Sequence, residues 1–225
     1  GISLPILNFG LISSSQEDCD TIFSHRITPT LVDRVPVENL ITGARKWNRP
    51  IGVHIKTDTG MGRLGFDPEE AVELARYLSG IPEITISGIY THFPVSDMPG
   101  HPFTSSQLAA FKGFASRLKS LDVPAGIRHC ANSGAILNHP ESYLDMVRPG
   151  ILCYGLYPSH ELPRTLKVVP AMTLKSAITF VKRVRKGTGL SYGLTYRTPK
   201  DTYIATIPVG YADGFARSLS NIARV

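Results

Sequence analysis

A lysine and an arginine seven residues apart, Lys56 and Arg63, flank the Gly-rich stretch KTDTGMGRLGF over residues 56–66. An apolar run, residues 51–55, ends at Lys56, and Asp67-Pro68-Glu69-Glu70 opens an amphipathic segment on the far side of the turn. In α/β folds ligands bind at the carboxyl ends of strands, so an arginine placed there can fork onto a carboxylate or phosphate. The alternative is that the glycines only make the turn and both cations are solvated. Later apolar runs also end in polar groups: His92 after ITISGIYT, the string His129-Cys-Ala-Asn132-Ser133, and Arg148-Pro149-Gly150-Ile151 after Met146-Val147. One histidine at a strand end is usually structural. Histidine, asparagine, serine and arginine on successive strand ends, together with Lys56 and Arg63, make a rim suited to gripping an anion and moving protons.

Short apolar runs alternating with helical stretches must position these groups. Strands are expected over residues 4–9, 28–32, 52–56, 84–92, 126–131 and 143–152, with helices over 17–24, 36–47, 68–78, 104–121 and 134–137. Six strands with crossover helices have the rhythm of a parallel α/β barrel or doubly wound sheet. After Pro163 the texture changes. Residues 171–185, 191–196 and 203–208 are β-branched and alternating, without an amphipathic helix between them, as in a mainly antiparallel β domain.

With 225 residues and 42% hydrophobic content the chain can bury a core. No apolar run approaches the roughly 20 residues of a membrane span, and the first residues lack the basic region of a signal peptide, so a soluble cytoplasmic protein is expected. Cys19, Cys130 and Cys153 are widely spaced without a C-x-x-C, which suits reduced thiols; no metal site is expected. The net charge of +6 is scattered, its densest run being residues 181–186, and nothing resembles a nucleic-acid motif. A small anionic ligand explains the charge as well.

The segments KTDTGMGRLGF, GIYTHF, RHCANSGA, VRPGILCYGL, LSYGLTY and IPVGYADGF resemble, in order and spacing, those of bacterial alanine racemase, a fold-type III pyridoxal-phosphate family. The resemblance covers essentially the whole chain. It implies a (β/α)8 barrel, here six of eight strands over residues 1–163, followed by the beginning of the C-terminal β domain over residues 164–225. The family's motif around its Schiff-base lysine, V-V-K-A-x-A-Y-G-H-G, has no counterpart here, so the sequence looks like an internal fragment. The 225 residues alone are expected to be inactive. The rival readings are an inert or subunit-interaction piece of a racemase, or a non-catalytic pyridoxal-phosphate-binding barrel. The β segment from Ala171 onward argues against the barrel-only relative.

The resemblance also implies roles. Tyr211 matches a catalytic tyrosine that acts in the partner subunit's site of a homodimer, exchanging protons with L- and D-alanine on one face of the substrate. Arg63 matches the substrate-carboxylate arginine, and Lys56 a lysine carried as a carbamate by many members. Arg148 matches the arginine facing the pyridine nitrogen of pyridoxal 5'-phosphate, with His92 holding it. Ser133, Gly150 and Ile151 match the phosphate-binding groups, and Asn132 supports them. Asp58 and Asp213 are expected to cap turns.

Overall fold

A computed structural model describes residues 3–13 and 15–224, in two compact units, Gly1–Ala171 and Met172–Val225. The first alternates strands and helices: β1 (Ile6–Leu7), α1 (Gln16–Ser24), β2 (Ile27–Thr28), β3 (Thr30–Leu31), α2 (Val37–Lys46), β4 (Ile51–Lys56), α3 (Pro68–Ser79), β5 (Ile84–Tyr90), α4 (Phe103–Ser120), β6 (Ile127–His129) and α5 (Ser133–Asn138). Strands β3, β4, β5 and β6 form one parallel sheet in that order, and β1 pairs with β2, also parallel. The strand expected over 28–32 is split at Pro29, which has no N–H to donate; its carbonyl instead accepts from the His54 N–H at 3.0 Å.

Local chemistry explains the helices that back this sheet. In α3 the Asp67 side chain accepts the Glu69 N–H, Pro68 fits the first turn, and Ala71, Val72, Leu74, Ala75 and Leu78 form the buried stripe. Along β4 the alternation of a strand sends Val53 and Ile55, both 0% exposed, into the core they share with α2, α3 and α4. His54 and Lys56 therefore project from the opposite face, where the site forms. The pairing of β4 with β5 shifts register there: Val53 lies opposite Ile86 but His54 opposite Gly88, leaving Ser87 as an extra residue.

The sixth expected strand, residues 143–152, does not form. Leu144 has φ 49°, Pro149 removes a donor, and residues Ile151–Tyr154 close into a 3-10 turn. The segment still runs beside β6, through Asp145 N–H to Arg128 O at 3.1 Å and Arg148 N–H to Ala131 O at 2.8 Å. Those two bonds suffice to carry Arg148 to the strand ends. Among the described residues no helix is long and apolar enough to cross a membrane.

In the second unit β7 (Phe180–Val184) pairs antiparallel with β10 (Thr202–Thr206), and β8 (Gly189–Leu190) with β9 (Tyr196–Arg197). The strand expected over 171–185 is confined to its last part. That expected over 191–196 gives way to a 3-10 turn, Tyr192–Leu194, because Ser191, Gly193 and Leu194 all take positive φ. Residues 164–171 stay with the first unit, where the Ala171 N–H donates to Tyr154 O at 3.0 Å.

Candidate functional site

The turn after β4 is organised by one carboxylate. Asp58 Oδ1 accepts the N–H groups of Gly60 and Met61 at 2.8 and 2.7 Å, and Oδ2 accepts that of Gly62 at 2.8 Å. This satisfies the backbone of a turn in which Gly60, Gly62 and Gly65 all have positive φ. Asp58 thus caps the turn, as Asp213 caps its own by accepting the Gly210 N–H at 2.9 Å. The Thr59 and Thr91 hydroxyls meet at 2.8 Å and tie the turn to the end of β5. Arg63 is exposed, with its charge felt at Lys56, Tyr90 and His92, whereas Lys56 is buried. The Lys56 ammonium lies 6.0 Å from the centre of the Tyr90 ring and has no hydrogen-bond or ion-pair partner among the described residues. Burial, then the charge of Arg63, lower its pKa.

Arg148 is the most heavily bonded cation. Its Nη2 donates to the carbonyls of Thr91 at 2.7 Å and Cys130 at 3.0 Å, and its Nη1 to His129 Nδ1 at 2.6 Å. The guanidinium also lies 5.0 Å from the centre of the Tyr90 ring and 5.8 Å from that of Phe9. His92, expected to hold Arg148, is the weaker partner, 3.4 Å from Nη2. Burial lowers the Arg148 pKa to about 10 and, with the adjacent Arg148 charge, that of His92 to about 4. His92 is therefore a neutral ring at neutral pH.

Ser133 opens α5, capped by Asn132, whose Oδ1 accepts from the Ala135 N–H at 3.1 Å and the Ser96 hydroxyl at 2.6 Å while its Nδ2 donates to Phe93 O at 2.9 Å. Asn132 thus fastens the loop after β5 to the loop after β6. Ser133 Oγ accepts the Gly150 N–H at 2.8 Å. In this arrangement Gly150 spends its donor on Ser133, leaving the Ser133 O–H and the Ile151 N–H to face a ligand. A cleft of about 320 Å³ is lined by Met61, His92, Asn132, Ser133, Arg148 and Ile151, among others. Arg148 and the Ser133 and Ile151 donors line it together with one acid, Asp97, while Lys56 sits within the fields of Arg63 and Arg148. Such a donor set fits a dianion and a carboxylate. Tyr211 lies in the second unit, on a 3-10 turn, 68% exposed. Among the described residues no group of three or more His, Cys, Asp or Glu side chains could hold a metal ion.

Two family models match the chain: alanine racemase, N-terminal domain, over residues 1–158, and alanine racemase, C-terminal domain, over residues 171–225. The chain belongs to the alanine racemase family. An alanine racemase of Desulfovibrio desulfuricans is 41% identical over the whole chain, which spans 60% of that relative's length. The solved alanine racemase of Clostridium difficile 630 superposes with a TM-score of 0.82 and 38% identity, covering 96% of this chain and 57% of that one. That of Bartonella henselae, solved with covalently bound pyridoxal phosphate, does so with a TM-score of 0.71 at 29% identity, over 91% of this chain and 55% of that one. These alanine racemases share the barrel and β domain expected from the sequence; this chain carries the partial parallel sheet and antiparallel strands belonging to them.

Two residues of the site were not evident from the sequence. His129 was legible as a strand end but not as the principal partner of Arg148. His54 looked like part of an apolar run, although its place two residues before Lys56 puts both on one face of β4. That offset was the available signal.

Proposed function

We propose that the protein to which these residues belong interconverts L-alanine and D-alanine with pyridoxal 5'-phosphate, as a cytoplasmic homodimer supplying D-alanine for peptidoglycan. The observation carrying this reading is the cleft that brings Arg148, His92, Asn132, Ser133 and Ile151 together, in a chain of this family. The cofactor supplies an electron sink that makes the α-proton of an amino acid removable. Ser133 and Ile151, steadied by Gly150, hold the phosphate by O–H and N–H groups. Arg148, whose guanidinium only donates, faces the ring nitrogen, so that nitrogen stays unprotonated and the electron sink is moderated. Arg63 forks onto the substrate carboxylate, and Tyr211 of the partner subunit passes the proton on one face. The lysine that anchors the cofactor in the family has no matching motif within residues 1–225. The same 225 residues expressed alone with added cofactor are therefore expected to show no racemisation.

Arg63→Ala tests the reading directly. Arg63 is exposed, so folding should be unaffected, while two charge-assisted hydrogen bonds to the substrate are lost. The expected result in the intact protein is a fall in kcat/KM for alanine of about 100-fold. A value within twofold of the parent would sink the proposal. Lys56 is expected to carry a carbamate: its lowered pKa exposes the neutral amine that adds to CO2 with release of a proton, and the resulting anion can accept from Arg63. An intact mass under gentle conditions without added CO2 counts against that modification.

A further inference from the structure

We propose that His129 and His54 are positioning residues: a buried relay of two imidazoles with fixed tautomers that holds Arg148 as a pure donor toward the cofactor site. The inference rests on the racemase reading for its consequence and on geometry alone for its existence.

A guanidinium has donors and no acceptor, so the 2.6 Å contact between Arg148 Nη1 and His129 Nδ1 requires a lone pair on Nδ1. A neutral His129 must then carry its proton on Nε2. That atom lies 2.8 Å from His54 Nδ1, so His129 donates and His54 accepts, which places the His54 proton on its own Nε2. Arg148 thus dictates both tautomers through two bonds. Protonating His129 would set two N–H groups against each other at Nδ1 and eject the guanidinium. The surroundings prevent it. His129 is fully buried, Tyr90 stacks on it at 4.6 Å and 12°, and Phe9 closes another side at 6.4 Å.

The backbone is shaped to admit this chain of rings. A Cβ on Gly88 would lie 2.4 Å from His54 Cε1 and 2.6 Å from Nδ1, so any side chain at position 88 would displace the ring. Gly88 faces His54 only because β5 carries the extra residue Ser87 at the register shift. Bulge, glycine and two histidines have one common outcome, an acceptor beneath Arg148 that cannot become a donor. A carboxylate there would hold the guanidinium more strongly but neutralise its field at the ligand, whereas an imidazole holds it and leaves the charge.

NMR of the intact protein with 15N-labelled histidine reads the tautomers without reference to turnover. Both rings are expected as Nε2–H forms at pH 7; an Nδ1–H form or an imidazolium at either position overturns the relay. His129→Asn keeps an acceptor where Nδ1 stood, and His129→Leu does not. The expected kinetic result is a kcat at least about 20-fold lower for the leucine variant, with the asparagine variant within about fivefold of the parent and KM for alanine little changed in both. Equal losses in the two variants, or none in leucine, overturn the positioning role. A parent protein that racemises nothing would reject the racemase reading while leaving the tautomer result to stand on its own.

Discussion

Acidification below pH 6.5 is expected to unfold the barrel unit over a pH range in which its carboxylates are still charged. His54 and His92 have pKa values lowered to about 4, and His129 to about 2, each chiefly by burial and secondly by the charge of Arg148. An unfolded histidine takes up its proton near pH 6.5. Between that value and about 4 the unfolded chain therefore binds more protons than the folded one at three positions. Folded-state pKa values that are lowered give stability that is complete above pH 6.5 and drains away as pH falls toward them. His54 and His92 each account for something on the order of 3 kcal/mol by pH 4, with His129 adding to it, against a typical total of 5–15 kcal/mol. Denaturant midpoints measured at pH 7, 6, 5 and 4.5 should fall steeply, with a slope approaching three protons. A flat profile down to pH 4.5 would show that the three rings are not buried neutral. The bidentate pair of Arg128 and Asp145, whose carboxyl is held down to about 2, loses its contribution only at lower pH and cannot account for the same drop.

Sequence and structure agree where local periodicity coincides with burial. α3 is readable because its cap, its proline and its apolar stripe all point one way, and β4 because a buried parallel strand is a plain apolar run. The turn after β4 is readable because glycines at positive φ and an aspartate able to satisfy three N–H groups are specific chemistry. Residues 143–152 failed for the opposite reason: the composition is that of a strand, but the positive φ of Leu144 and the missing donor of Pro149 break the regular ladder, leaving two bonds to the β6 segment. Residues 171–179 are likewise β-branched and exposed, with pairing that begins only at Thr179, which donates to Thr206 O at 2.8 Å. The partner of Arg148 was hidden for a different cause. Cα alternation predicts faces but not which side chains of three adjacent strands meet, and the meeting of His54 with His129 depends on a one-residue bulge. His92 ends the strand more conspicuously, yet lies farther from the guanidinium than His129 does.

Arg148→Leu is expected to cost less stability than its three lost hydrogen bonds alone suggest, and comparing two opposing effects shows why. The substitution leaves the Thr91 and Cys130 carbonyls and His129 Nδ1 without their donor, at roughly 1–3 kcal/mol for each buried acceptor. Against this, it removes a cation that burial disfavours enough to bring its pKa to about 10, a relief of about 3 kcal/mol. Three such acceptors against that relief leave a net loss at pH 7 of roughly 0–6 kcal/mol, compared with the 5–15 kcal/mol typical of a domain. Arg148→Lys keeps the charge and its desolvation cost, while a single nitrogen cannot reach what two do, so it should be no more stable than the leucine variant. The two are also separated by acid. Without the neighbouring cation the three histidines regain part of their basicity, so the leucine variant should lose less stability between pH 7 and 4.5 than the parent, and the lysine variant should not share that benefit. Racemisation, by contrast, should fall at least about 100-fold in both, since neither restores a planar donor fork facing the ring nitrogen. Thermal melts and turnover measured on the same preparations decide it: a lysine variant that is both more stable than leucine and active would show that the charge of Arg148, and not its fork of donors, is what the site requires.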